Sequence, residues 1–255
     1  MFSRLIERIK NIFSTIPPVV RNLFYINIII FLFMAIMPSA DRILSKHLAL
    51  YYFSSPGFRP FQLISYMFLH GGFTHLFFNM FALIMFGRTI EMVMGSSRFL
   101  FYYITCGICA ALVQLGVYAL CVSNIESILP VDVCNSVINE GWDLIQRGYN
   151  YTDPDYARLN IFVNSPMVGA SGAIYGVLLA FGFLFPNVTI YLLPIPFPVK
   201  AKWLIVGYFV IELLMGMSGR ADNIAHFAHL GGMIFGFLLL YYWKKKGVFN
   251  NRWFF

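Results

Sequence analysis

Six stretches of this chain, at roughly 20–38, 73–93, 98–122, 167–187, 201–218 and 223–243, are long and apolar enough to cross a hydrocarbon core, a distance that takes about 20 mostly apolar residues. Backbone N–H and C=O groups find no partner in lipid, so such segments fold as helices. Gly71-Gly72, Gly95, Pro154, Pro166, Pro186, the Pro194–Pro198 turn, Gly219 and Gly247 separate them, and these residue types bound helices. Only 11% of the 255 residues are charged, too few to cover a soluble domain, which carries about 25%. The expected fold is an all-α membrane protein, a six-transmembrane-helix bundle forming a single domain over 1–255.

The net charge of +7 suggests nucleic acid only until the basic residues are placed. They concentrate beside the apolar runs, as membrane topology demands, and no nucleic-acid partner is expected. Twelve Lys and Arg lie in the N-terminal segment 1–19 and on through Arg21, around the 88–98 and 188–202 turns and in the tail 244–255, against six on the opposite side. Both termini are therefore expected in the cytoplasm, and spans two, four and six run from outside to inside. The outer segment 123–166 holds six of the eleven acids. The run Leu23–Met37 before Pro38-Ser39-Ala40 resembles a signal peptide, but an even number of spans requires it as a retained first span. Between spans one and two, 39–72 carries aromatic clusters too short to cross. It is read as an interfacial structure lying in the outer leaflet against the bundle. Cys106 and Cys109 read as small buried thiols, and pairing of Cys121 with Cys134 stays open.

Polar residues inside spans are costly and are functional candidates by default. His75 and Asn79 are spaced i, i+4 near the outer end of span two, so one helix face presents both. Gly169-Ala170-Ser171-Gly172 opens span four, with Tyr175 one turn below Ser171, and His229 lies within two turns of the outer end of span six. Three spans of the same direction thus bring Ser171, His229, His75 and Asn79 to one depth. A serine hydroxyl becomes a nucleophile when a neighbouring base takes its proton, and His229 is that base. His75, Asn79 and the Ser171 N–H are the donors for an oxyanion. No acid lies at this depth on spans two, four or six, so a Ser–His dyad is expected. His70 is read as structural, bonding near Gly71-Gly72, and His226 as a supporting contact. Tyr175 is expected to pack on the base. Arg88 and Glu91 are read as a structural pair, and Glu212 in span five as structural too, bonding a neighbouring helix or lining a water path. Gly172 and Gly176 in span four, with Gly232 and Gly236 in span six, allow close helix approach. No cofactor-binding or metal-ligating set is expected.

Together these residues resemble the rhomboid family of intramembrane serine proteases. The resemblance rests on His70-Gly71-Gly72-Phe73-Thr74-His75-Leu76-Phe77-Phe78-Asn79, Gly169-Ala170-Ser171-Gly172, and Ala228-His229-Leu230-Gly231-Gly232 with Gly236. Gly87, Glu91 and Gly95-Ser96 match a further family pattern, while Phe58-Arg59 stands where many members have Trp-Arg. The resemblance implies a rhomboid-like bundle with Ser171 as nucleophile, His229 as base and His75 with Asn79 at the oxyanion. It implies a substrate that is a membrane-anchored protein whose transmembrane helix unwinds near the cut. The 123–166 insertion is longer than the basic six-span form requires. A bacterial cytoplasmic membrane is the expected location, with the site open to the outer side. Substrate is expected to enter sideways past span five, pivoting at Pro194–Pro198, with Phe209 packed against span two.

Overall fold

The computed structural model describes residues 15–191, 198–218 and 226–249. The basic N-terminal segment up to residue 14, most of the Pro194–Pro198 turn, the loop before His226 and the end of the tail lie outside the described residues. Helices occupy all six expected spans: α1 (Pro18–Ile36), α4 (Phe73–Met94), α5 (Ser96–Glu126), α8 (Ser171–Leu184), α9 (Ala201–Met217) and α10 (His226–Lys245). Among them α1, α4 and α5 are long and apolar enough to cross a membrane by length and composition alone. The described chain forms an all-α bundle in which a short antiparallel pair, Thr189–Ile190 with Val199–Lys200, links α8 to α9.

The family pattern at the end of α4 is a lock joining three helices. The first N–H groups of a helix lack intrahelical acceptors and carry the positive end of its dipole. In α1 two of them, Val19 and Val20, donate to the Glu91 carboxylate at 2.9 and 2.8 Å, and Ser96 Oγ donates to it at 2.7 Å. Gly87 lets α1 approach, because a Cβ there would stand 3.1 Å from Val20 Cγ2. Gly95 turns the chain at φ +79°, in the region that favours glycine. Glu91 therefore caps a helix N-terminus, and among the described residues no ion pair joins it to Arg88.

The two long stretches between spans are ordered. The 39–72 segment contains α2 (Pro38–Leu48) and α3 (Gln62–Ser65), and it buries Tyr51, Met67 and Leu69. Tyr66 OH donates to the Gly107 carbonyl of α5 at 2.8 Å, and Leu50 pairs antiparallel with Met167. The 123–166 stretch is a helical hairpin rather than a loop. The 31 residues of α5 extend about 46 Å at 1.5 Å per residue, well past a hydrocarbon core of about 30 Å. They carry the chain into α6 (Val131–Gln146) and α7 (Pro154–Asn164). Asn164 accepts from Ser55 Oγ at 2.8 Å and donates to the Ile138 carbonyl at 3.0 Å, while Trp142 meets Tyr51 edge-on at 4.6 Å. The hairpin is thereby docked on the 39–72 segment. Cys121 and Cys134 are free thiols.

The centre of the bundle is α8, packed between α5 and α10 by glycines. A Cβ on Gly232 would stand 1.9 Å from the Gly172 carbonyl oxygen, and one on Gly172 would stand 2.4 Å from Ala110 Cβ. Backbone thus packs on backbone, the small-residue contact by which helices associate where lipid offers no hydrophobic drive.

Candidate active site

Ser171 is the first residue of α8, so the helix opens at this motif but starts four residues after the expected 167. Residues 167–170 stay outside the helix, where Met167 pairs with Leu50 and Gly169 donates its N–H to the Tyr66 carbonyl at 3.0 Å. Gly169 has φ +128°, and a Cβ there would meet the His75 ring at 2.7 Å. Glycine is required on both counts, conformation and space. Ser171 consequently sits where helix N–H groups are free and the dipole favours negative charge.

His229, on the first turn of α10, sets its Nε2 2.8 Å from Ser171 Oγ. Tyr175, one turn along α8, stacks flat on the imidazole at 4.1 Å and 8°. From the other side Ala228 N–H donates to Gln114 Oε1 of α5 at 3.1 Å, anchoring the turn that carries the histidine. The Gly172–Gly232 contact is what permits this hydrogen bond, since any side chain there would spread α8 from α10.

The expectation of a bare dyad needs correcting. Glu212, 5% exposed, reaches in from α9 and holds His229 Nδ1 with its Oε2 at 3.0 Å. The same oxygen meets His226 Nδ1 at 2.5 Å, and Tyr175 OH donates to Oε1. His226 reaches His229 through Glu212, whereas Tyr175 meets it both directly, by stacking, and through Glu212. The sequence presents Glu212 as bonding a neighbouring helix, which it does, but not as a partner of His229, because only spans of one direction were compared. Counted back from Met217, the other end of an oppositely running helix, it lies about 7.5 Å deep at 1.5 Å per residue. That count would have placed it near the depth of His229. Gln114 left no comparable signal.

His75 and Asn79 line one cavity of about 940 Å³ together with Ser171, Tyr175 and His229. Asn79 Nδ2 is tied to the His75 carbonyl at 2.9 Å, which fixes its direction from α4. The cavity continues as an apolar groove past Phe77, Phe78 and Met85 of α4 and Tyr208 of α9. Phe209, expected at that wall, instead packs partly buried on the core. His70 stands behind His75, ring centroids 5.1 Å apart, and takes no part in the cavity wall. Among the described residues neither of its ring nitrogens has a hydrogen-bond partner, contrary to the bonding expected of it. Burial, with His75 beside it, keeps the imidazole neutral, its pKa pushed down to about 3.

The model of the Rhomboid domain matches residues 58–246. The chain belongs to the rhomboid family. This rhomboid protein is 30% identical over 211 residues to "Rhomboid protein 1, mitochondrial" of Saccharomyces cerevisiae, covering 82% of this chain and 49% of the yeast protein. It is 30% identical to "RHOMBOID-like protein 5" of Arabidopsis thaliana over 70% of this chain and 44% of the plant protein. A Bacillus subtilis protein, YdcA, described as a candidate rhomboid protease, is 28% identical over 72% of this chain and 68% of its own length. The chain thus spans about half the length of the first two relatives. Family and apolar helices together make it an integral membrane protein.

Proposed function

We propose that this rhomboid protein is an intramembrane serine endopeptidase that cleaves membrane-anchored proteins within or beside their transmembrane segments. The observation that carries the reading is the 2.8 Å contact of Ser171 Oγ with His229 Nε2 on the wall of a cavity shared with His75 and Asn79. Family membership supports a protease-type function in the bilayer.

In this reading Ser171 Oγ attacks the scissile carbonyl carbon and its proton passes to His229 Nε2. The carbonyl π pair moves onto oxygen, and the resulting oxyanion is stabilised by Asn79, His75 and the free amides at the start of α8. As the tetrahedral intermediate collapses, the C–N bond breaks and the amine leaves with the proton from Nε2. Water, giving its proton to the same nitrogen, then attacks the acyl-enzyme, and Ser171 is released with its proton restored. The apolar groove between α4 and α9 suits a substrate that arrives from lipid as a helix and is extended where it meets Ser171.

A fluorophosphonate probe tests the chemistry, because it reacts with an activated serine. Wild-type protein in detergent should be labelled and should cleave a transmembrane model substrate. Ser171→Ala should do neither while unfolding at the same temperature. Cleavage by Ser171→Ala at the wild-type rate would overturn the assignment. A folded wild type that neither labels nor cleaves would leave the bundle as a binder of membrane proteins.

A further inference from the structure

We propose that Glu212 is a positioning residue for the hydrolytic reaction, turning the Ser171–His229 pair into a serine–histidine–glutamate relay in which the carboxylate comes from α9. The inference rests on the serine hydrolase reading above and adds a component to it.

The geometry is that of an oriented base. For His229 to take the Ser171 proton, Nε2 must carry the lone pair and Nδ1 the hydrogen. A neutral imidazole in an apolar bundle can hold its proton on either nitrogen, and the partner of the other nitrogen decides which. Glu212 Oε2 stands 3.0 Å from Nδ1 and accepts only, so it selects the tautomer that leaves Nε2 basic toward Ser171 Oγ at 2.8 Å. When the proton arrives on Nε2, the imidazolium faces a carboxylate rather than lipid.

The rest of the cluster has no simpler purpose. A buried carboxylate is tolerated where donors surround it, and here both oxygens are used. Oε1 accepts from Tyr175, and Oε2 is shared by His226 and His229. Tyr175 is at the same time the ring stacked on His229. One carboxylate therefore fixes the imidazole by its edge directly and by its face through Tyr175. A strut between helices would need one hydrogen bond from α9 to either neighbour. Glu212 instead contacts α8 through Tyr175 and α10 through both histidines, so the serine's base and the ring stacked on it share one carboxylate.

The same three groups raise one rival, because the ligand atoms of Glu212, His226 and His229 lie within 4.8 Å of one another, close enough to hold a metal ion. An ion there would take His229 Nδ1 as a ligand, and chelation would separate that case from a proton relay.

The test uses the full chain in detergent, comparing Glu212→Gln and Glu212→Asp with wild type and Ser171→Ala. The readouts are kcat and KM on a transmembrane substrate, the rate of fluorophosphonate labelling, and thermal unfolding. An amide at this position offers an N–H to Nδ1 and favours the unreactive tautomer. Glu212→Gln should therefore lower kcat and labelling on the order of 10³-fold, with KM nearly unchanged. Glu212→Asp keeps the charge and should recover part of that loss. Labelling is scored on the folded, monodisperse fraction, so a drop in yield is not counted as a drop in rate. Wild-type kcat in Glu212→Gln, with Ser171→Ala inactive, would overturn the proposal while leaving the serine hydrolase reading intact. So would a loss equal in Gln and Asp variants that follows their unfolding temperatures. Activity lost to a chelator and regained with zinc would assign the cluster to a metal and overturn it as well. If wild type and Ser171→Ala behave alike, the underlying reading fails instead.

Discussion

Where α8 meets α10, a Cβ placed on Gly232 would stand 1.9 Å from a backbone oxygen; where α4 faces α9, Phe77, Phe78 and Phe81 are 51%, 62% and 52% exposed. The first contact is backbone on backbone with nothing able to yield, and it holds Ser171 and His229 within a hydrogen bond. The second is a groove walled by side chains that can turn, and it carries His75 and Asn79. A protease acting on helices in lipid needs both properties, a nucleophile and base that do not drift and a flank that admits a bulky chain. The contrast teaches that the two requirements are met by different helix pairs, with α9 bridging them: Tyr208 lines the groove, and one turn later Glu212 holds the base.

The comparison breaks most severely at its rigid side. Gly232→Ala should cost about 1–3 kcal/mol or more of stability, because an added methyl meets backbone that cannot repack. Cleavage by the folded remainder should fall close to background, since spreading α8 from α10 lengthens the Ser171–His229 bond. Denaturant unfolding in detergent with an activity assay on the folded fraction measures both; wild-type stability and rate together would mean that the helices have slack.

Asn79→Ala asks whether the groove side contributes chemistry or only a wall. With His75 and the α8 amides still able to meet the oxyanion, kcat should fall about 10²-fold or less while stability holds. An unchanged kcat would remove Asn79 from the mechanism and confine the chemistry to α8, α9 and α10.

The smallest expected effect concerns access. Tyr208→Ala should raise cleavage of a transmembrane substrate by a few-fold, because trimming the groove wall eases lateral entry past α9. A short soluble peptide should be cut at nearly its original rate, and a cross-link between the ends of α4 and α9 nearest Ser171 should slow only the transmembrane substrate. Intact transmembrane cleavage in the cross-linked protein would rule out entry by this route.

Much of this was legible in the chain itself. Six apolar runs became six helices with ends shifted by a few residues, since exclusion of backbone polar groups from lipid depends on local composition alone. Ser171, His229, His75 and Asn79 could be grouped by depth, because rise along a helix is a fixed quantity that can be counted from either end. Gly172 and Gly232 announced a close approach, although not the partner each would meet. What sequence could not decide was rotation: which face of α9 turns inward, and hence that Glu212 rather than lipid meets His229 Nδ1. It likewise could not show that Glu91 caps α1 across 71 residues of chain, or that 123–166 folds into a hairpin docked by Asn164. Depth and apolarity are properties of one helix at a time. Which side chains touch depends on how helices are turned and seated against one another, and that is set jointly by every contact in the bundle.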